Sequence, residues 1–186
     1  MKSKLPFVGQ VYLNLVLQCA VALYMANNAV VEGNILLYTV ASIGVILALA
    51  FANASQPVRF LLLTTFSALS GALMSQNKPT TELLQEVLAI FVTMVAVGAT
   101  TALLGFDLRT MYIFLFVALI ALLVMRTFSG LKLSQVGAFL FGLFVVMDTN
   151  AIMQRNYQGD VVQATLDFFL DFINLLRFVG EGSNNN

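Results

Sequence analysis

Seven stretches of mostly apolar residues, each about 20 residues long, follow one another along this 186-residue chain. A helix needs about 20 consecutive apolar residues to cross the hydrocarbon core of a bilayer. Short polar segments such as NASQP, QNKPTTE and QRNYQGD separate the stretches. The pattern predicts an all-α integral membrane protein with seven transmembrane helices, at 7–26, 35–54, 57–75, 84–105, 109–128, 132–153 and 161–179.

The scarcity of charge supports the same class. Hydrophobic residues make up 60% of the chain and charged residues 10%, whereas soluble domains average about 45–50% and about 25%. The formal net charge of zero provides no basic field for nucleic acid. We expect a short cytosolic N-terminus (1–6), one seven-helix bundle (7–179) and a polar C-terminal tail (180–186).

Missing residue types exclude several chemistries. Histidine is absent and Cys19 is the single cysteine. Serine–histidine or cysteine–histidine catalysis, the usual zinc sites and an intramolecular disulfide are therefore ruled out. We expect no enzymatic activity and no cofactor, and any proton sensing has to come from carboxylates.

Basic residues near the span ends predict the orientation. With a cytosolic N-terminus, five basic residues lie on the cytosolic side and three on the opposite side, which favours this orientation. The cytosolic set is Lys2, Lys4, Arg59, Arg109 and Arg155, and the opposite set is Lys78, Arg126 and Lys132.

Polar and small residues at four-residue spacing predict helix contacts. In the first span Gln10, Asn14 and Gln18 share one face, where interhelical hydrogen bonds are favoured over pore lining. In two other spans small residues recur at this spacing, which lets backbones approach closely. These residues are Ser67, Gly71 and Ser75 in the third span, and Ser134, Ala138 and Gly142 in the sixth.

Aspartates are unusually frequent in the last two spans. Asp160 stands three residues before Gln163, a spacing typical of a capping box, and is predicted to cap the last helix. Gln163, Asp167, Asp171 and Asn174 form one polar stripe on that helix. Asp148 lies in the sixth span. A carboxylate inside a span usually faces an ion or proton pathway, and Gln163 and Asn174 are candidates to line it.

Depth along the helices leaves the partner of Asp148 open. At about 1.5 Å per residue, Asp167 lies at a similar depth to Asp148, and Asp171 lies about one turn deeper. Two close carboxylates in a low dielectric cannot both ionise easily, so such a pair holds a proton between them. When the proton leaves, the pair can hold calcium weakly, as a leak path requires. The alternative to this functional interpretation is a protonated pair that only joins two helices.

The segment MDTNAIMQRNYQGDVVQATLDFFLDFINLLRF resembles the C-terminal signature of the Bax inhibitor family, the transmembrane Bax inhibitor motif proteins. In that family an Asp-Thr-Gln near the end of the sixth helix precedes a Gly-Asp loop and a Leu-Phe-Leu-Asp type core. A weaker resemblance extends upstream through QPVRFLLLTTFSALSGALMS. Asn150 replaces the usual glutamine, and GEGSNNN replaces a lysine-rich tail, so we expect a short member of viral or microbial type.

The resemblance implies a last helix wrapped by the other six. It also implies a pH-sensitive calcium leak channel of the endoplasmic reticulum, or of the plasma membrane in a bacterium, that lowers stored calcium and suppresses cell death. The aspartate pair of the family falls on Asp148 and Asp171, which would bind calcium weakly. Asp167 matches many eukaryotic members, and Arg59 is the candidate latch of the closed state.

Two other functions remain open. One is a non-conducting regulator of cell death that acts through apoptosis-regulating membrane proteins. The other is a proton-coupled cation exchanger, whose flux would depend on a proton gradient. In each case the lipid bilayer is the expected surrounding partner, with calcium and protons as the expected ions.

Overall fold

The computed structural model describes residues 5–31, 33–129, 133–154 and 157–183. Lys2, Lys4, Lys132 and Arg155, which contributed to the predicted orientation, lie outside these residues. The described residues contain helices and no strand. The helices are α1 (Leu5–Asn28), α2 (Ile35–Phe51), α3 (Gln56–Met74), α4 (Thr81–Leu103), α5 (Met111–Ser129), α6 (Ser134–Gln154) and α7 (Val161–Ser183), with a 3-10 turn at Ser75–Asn77 after α3.

Each predicted span coincides with one helix, and the largest difference is the end of α7, at 183 instead of 179. Local signals set several ends. The Thr80 side chain accepts a hydrogen bond from the Leu83 backbone N–H and caps α4. At the other end of α4, Gly105 adopts a φ of +83°. The N–H groups of Gly105 and Phe106 then bond back into the last turn, in the Schellman arrangement that glycine favours.

Five of the described helical segments are long and apolar enough to cross a membrane: Pro6–Asn28, Gln56–Asn77, Thr81–Leu103, Met111–Phe128 and Ser134–Gln154. The apolar helix α2 has 17 residues, or about 26 Å at 1.5 Å per residue, against about 30 Å of hydrocarbon. Helix α7 carries Asp167, Asp171 and Arg177. Membrane spanning by α2 and α7 therefore stays a prediction.

Large apolar side chains on the outer faces suit a lipid surrounding. Phe51 is 83% exposed, Phe114 74% and Phe128 85%. Water-facing surfaces rarely expose so many large apolar side chains. We attribute these faces to contact with the bilayer.

The chain divides into two compact units. The first contains the described parts of Met1–Val8, Thr80–Gly159 and Leu170–Asn186, and the second contains Gly9–Pro79 and Asp160–Phe169. In the first unit α6 packs against both α4 and α5, and in the second α2 packs against α3. The boundary divides α7 between the two units.

Small residues permit close helix contacts, as their spacing predicted for Gly71. A Cβ at Gly71 in α3 would lie 2.7 Å from the Ala22 Cα of α1. A second close approach, at Gly98 in α4, was not predicted. A Cβ there would lie 2.7 Å from the Thr149 Cβ of α6 and would overlap the Val146 carbonyl. Both glycines therefore let two backbones come together.

Helix α7 is the most thoroughly packed helix, and Arg177 is its one exposed side chain among residues 161–182. In the second unit the Phe168 ring packs on Tyr12 and the Phe169 ring meets Phe66 edge-on. In the first unit the rings of Phe172 and Phe178 pack on Phe91 and Phe141. The wrapping of α7 by all six other helices stays a prediction of the family resemblance.

Candidate functional site

Three consecutive polar residues of α6 are buried in the first unit. Asp148, Thr149 and Asn150 are 4%, 0% and 1% exposed. A buried polar group is costly unless it is hydrogen-bonded. The Thr149 hydroxyl donates to the Val145 carbonyl of its own helix. Asp148 accepts a hydrogen bond from the hydroxyl of Tyr112, in the first turn of α5.

Sequence reasoning missed Tyr112. The available signal was a lone tyrosine in an otherwise apolar first turn, because the hydroxyl of a packed tyrosine usually finds a partner. Its partner could not be identified from spacing, since Tyr112 and Asp148 are 36 residues apart.

Side-chain amides of α6 hold the connection between α4 and α5. The Asn150 amide nitrogen donates to the Thr101 hydroxyl at 3.1 Å and to the Phe106 carbonyl at 2.9 Å. Its oxygen accepts from the Leu108 backbone N–H at 3.4 Å. Gln154 donates to the same Phe106 carbonyl at 2.5 Å. Asn150, which stands where the family usually has glutamine, therefore bonds both α4 and the segment that connects α4 to α5.

The polar stripe of α7 divides between the two units. Asp171, 6% exposed, belongs to the first unit together with Asp148. Asn174 lies in the same unit and donates to the Leu170 carbonyl of its own helix at 2.8 Å. Gln163 and Asp167 belong to the second unit, where the Gln163 amide donates to the Asp167 carboxylate at 2.9 Å. Two buried carboxylates thus lie in one compact unit, and their direct pairing stays a prediction.

The donor set for calcium is small. Among the described residues no group of three or more histidine, cysteine, aspartate or glutamate side chains could hold a metal ion. Calcium prefers six to eight oxygen ligands. A weak, transient calcium site at Asp148 and Asp171 therefore stays a prediction.

Asp160 caps α7 and carries an ion pair. One carboxylate oxygen accepts from the Gln163 backbone N–H at 3.0 Å, and the other pairs with the Arg59 guanidinium at the start of α3. The side chains are 17% exposed for Arg59 and 28% for Asp160. Partial burial alone would raise the pKa of Asp160, but the hydrogen bonds from Arg59 and Gln163 outweigh it, so the pKa is lowered.

The candidate latch Arg59 therefore bonds the cap of α7 in this structure. The sequence predicted the cap from local spacing but did not predict this partner, 101 residues away. A latch role for Arg59 stays a prediction, and the partner of Arg59 in this structure is Asp160.

We expect Asp160→Ala to lower the free energy of unfolding by about 1 kcal/mol through the lost cap, and further through the lost ion pair. Asp160→Asn can still cap the helix, so it should keep the stabilisation by the cap and lose only that of the ion pair. Because the folded-state pKa is lowered, the stabilisation by the charge is present above the unfolded pKa of about 3.9 and disappears as the pH falls through the folded value. Thermal unfolding in detergent between about pH 7 and pH 3 measures both effects. Equal melting temperatures for wild type and Asp160→Ala at neutral pH would contradict this.

A second charged cluster lies at the C-terminal end of α7. The Glu181 carboxylate accepts from Arg126 of α5 at 2.8 Å and from Arg177 at 3.1 Å. The Arg126 guanidinium also lies 5.3 Å from the centre of the Phe178 ring. These contacts explain why α7 extends to Ser183, into the predicted polar tail.

Helices without strands in the described part of the chain, several of them of membrane length, together with buried carboxylates indicate a multi-pass membrane protein. The family model described as "Inhibitor of apoptosis-promoting Bax1" matches residues 6–180. The chain belongs to this family, which confirms the resemblance of its C-terminal segment. Family membership supports a role as a membrane regulator of cell death.

Proposed function

We propose that this protein is a pH-sensitive, calcium-permeable cation leak channel that lowers stored calcium and thereby suppresses cell death. Asp148 and Asp171 form its gate, and protonation of the pair controls cation passage. No catalytic step and no resident cofactor belong to this proposal, and the endoplasmic reticulum is the proposed membrane.

The observation that carries the proposal is the burial of two carboxylates in one unit of apolar helices. Asp148 is 4% exposed and Asp171 is 6% exposed. Carboxylates within membrane helices are costly, and they usually mark an ion or proton pathway. A purely mechanical role needs only neutral side chains, because asparagine or threonine can join helices without a charge.

The chemistry of the pair suits conduction better than storage. A cation must bind well enough to enter a path and weakly enough to leave it. Two carboxylates give calcium an attractive site, but far fewer oxygens than it prefers. While the pair holds a proton, that attraction is reduced, so we expect flux to rise as the proton leaves.

A non-conducting regulator is the second candidate, and one contact favours it. Asp148 accepts a hydrogen bond from Tyr112, so the carboxylate also serves to join α5 and α6. On that account the protein acts through apoptosis-regulating membrane proteins. Protection of cells would then survive the loss of flux.

Calcium flux into dye-loaded liposomes tests the proposal. Purified protein is compared with empty liposomes at several values between about pH 6 and pH 8, with equal pH on both sides. We expect flux above the empty control that changes with pH. Flux equal to that control would contradict the channel and favour the regulator, which cell-protection assays with the Asp148 and Asp171 variants would then test.

A further arm addresses the proton-coupled exchanger. A proton gradient is imposed while the external pH is held constant. A leak channel carries calcium without the gradient, whereas an exchanger requires it. Flux that appears only with the gradient would replace the channel by the exchanger.

A further inference from the structure

Tyr112 contacts the carboxylate that the proposed gate depends on. Its hydroxyl donates to Asp148 from the first turn of α5. The Asp148 side chain is buried, so water competes little for its oxygens. A hydrogen bond to a charged, buried group is stronger than one at the surface.

The position of Tyr112 is fixed by the chain just before it. The Tyr112 backbone N–H donates to the Arg109 carbonyl at 3.2 Å, and the Met111 N–H donates to the Leu108 carbonyl at 2.9 Å. The Leu108 N–H in turn donates to Asn150 of α6. Helix α6 thus holds the beginning of α5 through Asn150 as well as through Asp148.

The remaining charged groups near this contact have partners of their own. In the connection, Arg109 pairs with Asp107 at 2.5 Å. Arg126, the one charged residue of α5, lies 14 residues after Tyr112, or about 21 Å along the helix, and it pairs with Glu181. Helix α4 has no titratable side chain between Glu86 and its end at Leu103. On α7, Asp171 is the proposed partner of Asp148.

A carboxylate has about four lone-pair directions, and calcium uses several oxygens at once. The Tyr112 hydroxyl takes one of these directions. It also donates a proton toward the carboxylate, so a cation has to displace it or bind beside it. The hydroxyl therefore competes with the cation for Asp148.

We infer that Tyr112 is a positioning residue that keeps the cation site at Asp148 weak. The connection between α4 and α5, bonded to Asn150 and Gln154, holds the hydroxyl in place. This inference rests on the proposed function, because it assigns a role in the affinity of the same site. It goes further by naming the residue that prevents calcium from remaining there.

The test is Tyr112→Phe, which removes the hydroxyl and keeps the ring. Calcium binding to the purified protein is measured by isothermal titration calorimetry. The half-saturating calcium concentration and the maximal rate of liposome flux are measured separately. We expect binding to tighten about tenfold, as the loss of one hydrogen bond to a charged group implies, and half-saturation to fall with it. Since a tighter site releases its ion more slowly, the maximal rate should not rise.

Tyr38→Phe is the matched control, because it removes the hydroxyl of another half-buried tyrosine, in α2. It should leave both quantities unchanged. In the double variant Tyr112→Phe/Asp148→Asn the tightening should be lost. A smaller tightening is expected for Gln154→Ala, which loosens the connection and leaves Tyr112 intact.

The outcomes separate the inference from the proposed function. Tighter binding without flux in any variant would support the inference and contradict the channel. Unchanged or weaker binding in Tyr112→Phe, or the same change in Tyr38→Phe, would overturn the inference even if wild-type flux is present. No calcium binding in any variant would overturn it as well.

Discussion

Replacing Asp148 or Asp171 by asparagine is expected to remove the pH dependence of calcium flux. Asparagine keeps the size and most hydrogen bonds of aspartate but has no proton to lose in this range, and the single carboxylate left in either variant has no second carboxylate with which to share a proton. A single titrating group can change its ionised fraction by up to about tenfold per pH unit. Wild-type flux should therefore differ several-fold between the ends of the titration, and in either variant the ratio should fall to about one. Liposome flux at equal internal and external pH measures this ratio.

Asp167→Asn is the matched control for the choice of partner. Asp167 lies one helical turn before Asp171, is half-buried and accepts a hydrogen bond from Gln163. If Asp148 and Asp171 form the gate, Asp167→Asn should keep the pH dependence of wild type. Loss of that dependence in Asp167→Asn, together with its retention in Asp171→Asn, would move the gate to the Asp148–Asp167 pair that depth allows.

Gly71→Ala is expected to have the largest effect on stability. A Cβ at this position would lie 2.6 Å from the Ala22 carbonyl carbon and 2.7 Å from its Cα, whereas carbon atoms in good contact are about 3.5–4.0 Å apart. The obstacle is backbone, which cannot rotate away as a side chain can, so α1 and α3 have to separate. Overpacking of this kind costs about 1–3 kcal/mol, and loss of the Gln18–Thr64 hydrogen bond between the same helices would add to it.

Gly44→Ala is its control, because a Cβ at Gly44 in α2 would meet nothing within 4 Å. Alanine favours a helix over glycine by about 0.5–1 kcal/mol, so this variant should melt at the wild-type temperature or above it. Thermal unfolding in detergent should place Gly71→Ala several degrees lower. Equal melting temperatures for the two variants would contradict the close contact of α1 and α3.

The helices could be predicted from the sequence because membrane length and apolar runs are local properties. The cap at Asp160 followed from its spacing to Gln163 for the same reason. Small residues at four-residue spacing predicted the tight contact at Gly71. Gly98 has a small residue at this spacing on one side only, Ala102, and its role depends on α6 lying against that face of α4.

Contacts between distant segments could not be predicted. The partner of Asp148 on α5 and the partner of Asp160 on α3 depend on how each helix is rotated about its axis. A period of 3.6 residues defines which side chains share a face but not which helix that face meets. Likewise the sequence placed the end of the last span at residue 179 and a polar tail after it, whereas Glu181 bonds Arg126 and Arg177 and α7 continues to Ser183.

The central claim is that protonation of two buried aspartates controls cation passage. Its most direct test compares wild type with the double variant Asp148→Asn/Asp171→Asn, in one lipid composition and at matched protein density. Calcium flux is recorded between about pH 6 and pH 8, and a thermal melt verifies that the variant is folded. We predict pH-dependent flux for wild type and flux without pH dependence for the folded double variant. Two profiles with the same pH dependence would contradict the account.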